Sequence, residues 1–143
     1  MALKGPIILV EDDRNDAEAI IEAFKEIGLQ NKVILFTRAE EAYTYLSTTT
    51  EQPFFILCDI RMPILDGLSF RDRIQKNPQL KRKSIPFIFL TGVVSEEIIN
   101  SAYALDVQGF YQKEKSFEGL KEQLLTICMY WKKSLHPNRT TTA

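Results

Sequence analysis

The sequence predicts an α/β fold: a doubly wound parallel sheet of five strands with helices on both faces. Three observations lead there. Short runs such as Ile7–Val10 and Phe54–Cys58 are apolar at every position, which fits strands buried on both faces. Between these runs lie longer segments with apolar residues at helical spacing. Each apolar run also ends in an acidic or polar residue. Parallel strands need crossover connections, which are right-handed and place helices over both faces of the sheet.

The elements follow in order. Ile7–Val10 is the first strand and runs into Glu11, Asp12 and Asp13. Residues 14–27 carry Ala17, Ile20, Ile21, Phe24 and Ile27 on one helical face, and Gly28 supplies the stop. Val33–Phe36 is the second strand. Ala39, Ala42, Tyr43 and Leu46 mark the second helix, which ends at the threonines 48–50. Pro53 bounds the third strand, which delivers Asp59. After the loop from Pro63 to Gly67, the positions Leu68, Arg71 and Ile74 mark a third helix, which Pro78 terminates. Pro86 opens the strand Phe87–Leu90, followed by Thr91 and Gly92. Ser95 is placed as an N-cap, with Glu96 and Glu97 in the favourable first turn of a helix reaching about Val107. Gly109–Gln112 is the last strand and ends at Lys113. Residues 116–134 make the last helix, with Phe117, Leu120, Leu124, Ile127 and Trp131 in one stripe. Five strands thus alternate with five helices.

A chain of 143 residues suits one domain, able to bury roughly two thirds of the surface that its unfolded chain exposes. The expected domain spans 5–134, followed by a disordered tail over 135–143. The formal net charge of -1 provides no general field to attract nucleic acid or an acidic membrane. Lys81-Arg82-Lys83, beside Pro78 and Pro86, is read as a solvated loop, so nucleic acid is not expected as a partner. Cys58 and Cys128 sit at no metal-binding or redox spacing, which fits a reduced cytosol. No stretch reaches the eighteen or so apolar residues of a membrane span. The expectation is a soluble, cytoplasmic protein without a membrane partner.

In an open parallel sheet, ligands bind at the carboxyl ends of the strands. Glu11, Asp12, Asp59, Thr91 and Lys113 each follow the last apolar residue of a strand. Carboxylates from two strand ends, crowded together, demand a cation or a raised pKa. They offer hard oxygen ligands suited to Mg²⁺. The Lys113 ammonium and the Thr91 hydroxyl would grip the remaining oxygens of a phosphoryl group. Phosphoryl transfer rests largely on placement and charge neutralisation. Asp59, protruding centrally, would be the nucleophile that becomes an acyl phosphate.

The motifs VEDD, CDIRMPILDG, FLTG and FYQK, each at a strand end and in this order, resemble the receiver domain of two-component response regulators over about residues 5–130. The resemblance implies a flavodoxin-like (βα)5 sheet with strand order 2-1-3-4-5. It makes Asp59 the phosphoacceptor and Glu11 and Asp12 the acidic pair, with Asp12 the more direct Mg²⁺ ligand. The backbone carbonyl of Arg61 would complete the protein's share of the metal shell. Thr91 becomes the switch hydroxyl, Phe110 the switch aromatic and Lys113 the lysine that pairs with the phosphoryl group. The implied donor is a sensor histidine kinase or phosphotransfer protein, and the surface that changes is about residues 95–134, serving a downstream protein.

The pattern has departures. EDD offers three acids where two are needed, and Asp13 also suits a helix N-cap. Lys115 rivals Lys113. Glu114 replaces the usual proline after the lysine, so a trans peptide bond is expected there. The terminal segment YWKKSLHP resembles small stand-alone regulators of phytochrome-type histidine kinases. Met129, Tyr130, Trp131 and Leu135 exceed what one helix face can bury, which suggests a homodimer through the last helix, unless Trp131 packs on the domain's own core.

Other readings compete. A haloacid-dehalogenase-type phosphohydrolase would want an aspartate where Arg61 stands. A flavodoxin-like cofactor binder would want a Ser/Thr/Gly-rich phosphate loop after the first strand, where acids stand instead. A histidine phosphotransfer protein needs a helical histidine, and the only histidine is His136 in the tail. A receiver-shaped interaction module that no longer accepts phosphate is the remaining alternative.

Overall fold

The computed structural model describes residues 2–137. Its centre is one parallel sheet of β1 (Ile7–Val10), β2 (Val33–Phe36), β3 (Phe55–Cys58), β4 (Phe87–Thr91) and β5 (Gly109–Gln112), in the order β2-β1-β3-β4-β5. The α/β class and strand order 2-1-3-4-5 are those expected. β1 lies between β2 and β3, in register Val10↔Phe36 and Val10↔Cys58. The chain reverses its winding there, so the ends of β1 and β3 open side by side.

Six α-helices accompany these strands among the described residues: α1 (Arg14–Glu26), α2 (Ala39–Thr48), α3 (Gly67–Lys76), α4 (Pro78–Lys83), α5 (Glu96–Tyr103) and α6 (Phe117–Lys133). A short 3₁₀ turn spans Ala2–Lys4.

The pleat sorts the apolar runs into two cores. Ile8, Val10, Ile56, Cys58, Phe87 and Phe89 face α2, α3, α4 and α5, where they pack with Ala42, Leu46, Phe70, Leu80 and Ala102. Their neighbours Ile7, Leu9, Phe55, Leu57, Ile88 and Leu90 face α1 and α6, against Ile20, Phe24, Leu120, Leu124 and Ile127. A period of two within runs that are buried on both sides is the strand geometry itself.

The structure departs from expectation in three places. Pro78 does not simply end α3; it opens α4 as its first residue, where the missing N–H costs nothing. Asn77 makes this possible, because its side chain accepts hydrogen bonds from the N–H groups of Gln79 (3.0 Å) and Leu80 (3.2 Å). Lys81, Arg82 and Lys83 therefore lie on a helix, not a loop, and the Lys83 ammonium donates to the carbonyls of Leu46 (2.8 Å) and Thr49 (3.2 Å). α5 ends at Tyr103, short of Val107, and Asp106 lies in a left-handed turn at φ 58°. Finally, the expected disordered tail begins with a docked residue. His136 is fully buried, its Nε2 stands 2.7 Å from the Phe54 carbonyl oxygen, and its ring contacts Phe54 and Trp131. Residues 138–143 lie outside the described residues.

Trp131 packs at the margin of the α1/α6 core. Leu125, Met129, Tyr130 and Leu135 remain exposed.

Candidate functional site

The polar groups that end the strands meet at the carboxyl edge of the sheet. Glu11 follows β1 and is fixed there by its N–H, which donates to the Phe36 carbonyl (3.0 Å). Asp59 follows β3, and its N–H donates to the Val10 carbonyl (3.0 Å). The sheet ladder thus continues one residue past the strands and sets the two carboxylates next to each other. Lys113 follows β5 and is tied to the end of β4, its N–H donating to the Thr91 carbonyl at 2.8 Å. Thr91 lies between the strands that deliver Asp59 and Lys113 and is almost fully buried.

Side chains close the arrangement. The Lys113 ammonium donates to Glu11 Oε1 at 2.7 Å and to Asp16 Oδ2 at 2.8 Å, and stands 3.5 Å from Asp59 Oδ2. Asp59 Oδ1 accepts from the Ile60 N–H at 2.8 Å. Glu11 Oε2 accepts from the Asp13 N–H at 3.1 Å. Carboxylate oxygens of Glu11, Asp12 and Asp59 all lie within 4.8 Å of one another. Asp12 stands partly open to solvent, whereas Glu11 is 1 % exposed and Asp59 9 %.

The electrostatics follow from this crowding. Burial pushes the Glu11 carboxyl up to about 7; the Lys113 hydrogen bond opposes the rise and the charge of Asp59 adds to it. Burial alone would weaken the Lys113 ammonium. Its hydrogen bonds to Asp16 and Glu11, with the charges of Glu11 and Asp59, outweigh that and hold it firmly protonated.

The surrounding loop is shaped by close approach. The Gly67 N–H donates to the Ile60 carbonyl at 2.8 Å, and a Cβ on Gly67 would overlap the carbonyl oxygen of Asp59. Asp66 caps α3 by accepting from the Ser69 N–H (2.8 Å). Ile64, between these points, is 82 % exposed and lies in left-handed backbone at φ 70°. A β-branched residue rarely adopts that conformation.

Of the residues singled out from the sequence, Glu11, Asp12, Asp59 and Lys113 come together. Thr91 stands at the adjoining strand end, its Oγ1 3.5 Å from the Val93 nitrogen. Arg61 lies two residues beyond Asp59 with an exposed side chain. Phe110 is half-buried on β5, its ring 6.1 Å from Phe89 and 6.5 Å from Tyr103. Asp13 is the N-cap of α1, accepting from the Asp16 N–H at 3.0 Å. Lys115 is exposed. All peptide bonds among the described residues are trans, including that between Lys113 and Glu114. Sequence reasoning missed Asp16, which reads there as one more charge on the solvent face of α1.

A parallel sheet of this winding, with an acidic trio and a lysine at its carboxyl edge, is the architecture of a signalling module. The chain belongs to the response regulator receiver domain family, whose model matches residues 7–125. It is 30 % identical over 129 residues to the probable methanogenesis regulatory protein FilR2 of Methanothrix harundinacea, covering 87 % of this chain and 82 % of that protein. It is 28 % identical over 130 residues to the response regulator Rcp1 of Synechocystis, covering 87 % of each chain. Among solved structures, the phosphorylated cyanobacterial phytochrome response regulator RcpA superposes with a TM-score of 0.83 at 28 % identity, covering 92 % of this chain and 97 % of that one. The Mn²⁺-bound form of Rcp1 gives a TM-score of 0.78 at 27 % identity, over 91 % and 96 % of the two chains. No helix among the described residues is long and apolar enough to cross a membrane.

Proposed function

We propose that the protein is a response regulator receiver in the cytoplasm, which accepts a phosphoryl group on Asp59 from a sensor histidine kinase or phosphotransfer protein. The observation that carries this reading is the Lys113 ammonium, held within 3.5 Å of the Asp59 carboxylate at the mouth of an acidic trio. Asp59 Oδ2 attacks phosphorus as the P–N bond of a phosphohistidine breaks; the electron pair returns to the imidazole, which takes a proton from solvent. The Ile60 N–H holds Oδ1 and so orients the carboxylate.

The donor set fits Mg²⁺, because it offers hard oxygen ligands alone, three of them carboxylates within 4.8 Å of one another. Glu11, Asp12, Asp59 and the carbonyl of Arg61 would hold the ion. When bound, Mg²⁺ neutralises charge on the phosphoryl oxygens. Lys113 supplies the remaining positive charge, and the Thr91 hydroxyl donates to a phosphoryl oxygen.

Recruitment of Thr91 toward Asp59 vacates space beside Phe89, into which Phe110 turns; α5, β5 and α6 then present a changed surface to a downstream protein or a second copy. The half-buried place of Phe110 between Phe89 and Tyr103 supports that role.

Incubation with Mg²⁺ and a small phosphodonor, followed by intact-protein mass, tests the reading. The native protein gains a single phosphoryl group and Asp59→Asn gains none. Continuous turnover of the donor, far beyond one equivalent and without a phosphorylated protein, would instead make it a phosphohydrolase. Native protein that neither gains the group nor turns over donor would be a receiver-shaped interaction module.

A further inference from the structure

We propose that Asp16 is a positioning residue that holds the Lys113 ammonium back from Asp59, so that taking up a phosphoryl group requires the lysine to give up this partner. The proposal rests on the phosphoryl-accepting reading above and adds a residue to it. Asp16 sits in the first turn of α1, where Asp13 fixes its backbone by accepting its N–H at 3.0 Å. An ammonium has three donors. Two of them are engaged at charge-assisted distance, with Glu11 Oε1 at 2.7 Å and Asp16 Oδ2 at 2.8 Å, while Asp59 Oδ2 waits at 3.5 Å.

The two engaged carboxylates differ in what release would cost. The Glu11 side chain is 1 % exposed, so loss of the ammonium would leave a buried charge uncompensated. The Asp16 side chain is 47 % exposed, so water replaces the ammonium at little cost. Asp16 is therefore the partner that lets go. A cavity of about 210 Å³ on the α1 side of the pair, lined by Asp16 and Lys113 together with Glu114, Phe117 and Leu120, leaves space for water at Asp16 once the ammonium turns away. Asp16 thus competes with the phosphoryl oxygens for one donor and sets the resting state's resistance to activation.

The test uses beryllofluoride, a phosphoryl mimic, titrated into the full chain at saturating Mg²⁺ and followed by fluorine NMR. Asp16→Asn and Asp16→Ala are expected to bind it about threefold to fivefold more tightly than native protein, the scale of a half-exposed ion pair. Asp16→Glu should return toward the native affinity. Asp13→Asn removes the same charge from the same helix end but keeps a capping side chain, and should bind as native. A merely structural Asp16 would show unchanged or weaker binding on substitution, and that result overturns the proposal, as would an equal gain in Asp13→Asn. If native protein binds no beryllofluoride, or Asp59→Asn binds it equally, the phosphoryl-accepting reading itself has failed, and this one with it.

Discussion

Glu11 bears the electrostatic strain of the pocket. Its carboxylate is buried beside Asp59, and burial with that neighbour raises its pKa to about 7 in spite of the Lys113 hydrogen bond. A proton on Glu11 therefore competes with a divalent ion near neutrality. Below pH 7 the proton must leave before the ion can bind, so apparent affinity falls as the medium becomes more acidic. Calorimetric titration with Mg²⁺ should show about tenfold tighter binding at pH 8 than at pH 6, with uptake of the ion releasing a proton. Glu11→Gln should lose most of the affinity and also the pH dependence. Glu11 and Asp59 could be read from the sequence because each is the first polar residue after an apolar run, with Asp12 next to Glu11 and Lys113 just past the last strand. Asp16 could not. It lies 97 positions from Lys113, and only the relative placement of α1 and the end of β5 brings the two together.

At the scale of elements, local chemistry decides what periodicity leaves open. A proline after Lys76 and Asn77 reads as the end of a helix, yet Asn77 caps a new one, so α3 and α4 join with no loop between them. Arg71, in the apolar stripe of α3, is buried. Its Nε and Nη2 donate to the carbonyls of Leu105 (3.1 Å) and Asp106 (2.8 Å), just beyond α5. That bond explains why a charged residue occupies an inward position. The segment after α6 behaves in a related way. His136 is read as tail when only composition is considered, but its ring fits between Phe54 and Trp131 and satisfies a backbone carbonyl. Burial holds its pKa below the ordinary value of 6.5, against the opposing effect of the Phe54 hydrogen bond. The unfolded chain therefore takes up a proton that the folded protein resists. The stability due to neutral His136 is complete above about pH 6.5 and declines as pH falls toward the lower folded pKa. Urea unfolding between pH 5 and 8 should show this loss on the acid side, and His136→Gln should flatten it.

For the whole molecule, the strand order was legible through the resemblance, and the layering through uniformly apolar runs between amphipathic helices. What the described residues leave uncovered was only half legible. Trp131 packs in part against the domain's own core. Leu125, Met129, Tyr130 and Leu135 still leave apolar surface on and just after α6. Four such residues close together suit contact with a second copy. Light scattering should give a dimer mass, and Met129→Lys with Tyr130→Lys should reduce it to a monomer; a native monomer, with or without phosphodonor, would end that reading. The two cores add a mechanical consequence. One side of the sheet is clasped across helices, the Lys121 ammonium of α6 lying 3.1 Å from Glu26 of α1. The other side holds Phe89, Phe110 and Tyr103 in a chain of tilted rings. The β-layer is thus a bulkhead: a change of packing around Phe110 on the α5 side has the whole sheet between it and the α1–α6 clasp.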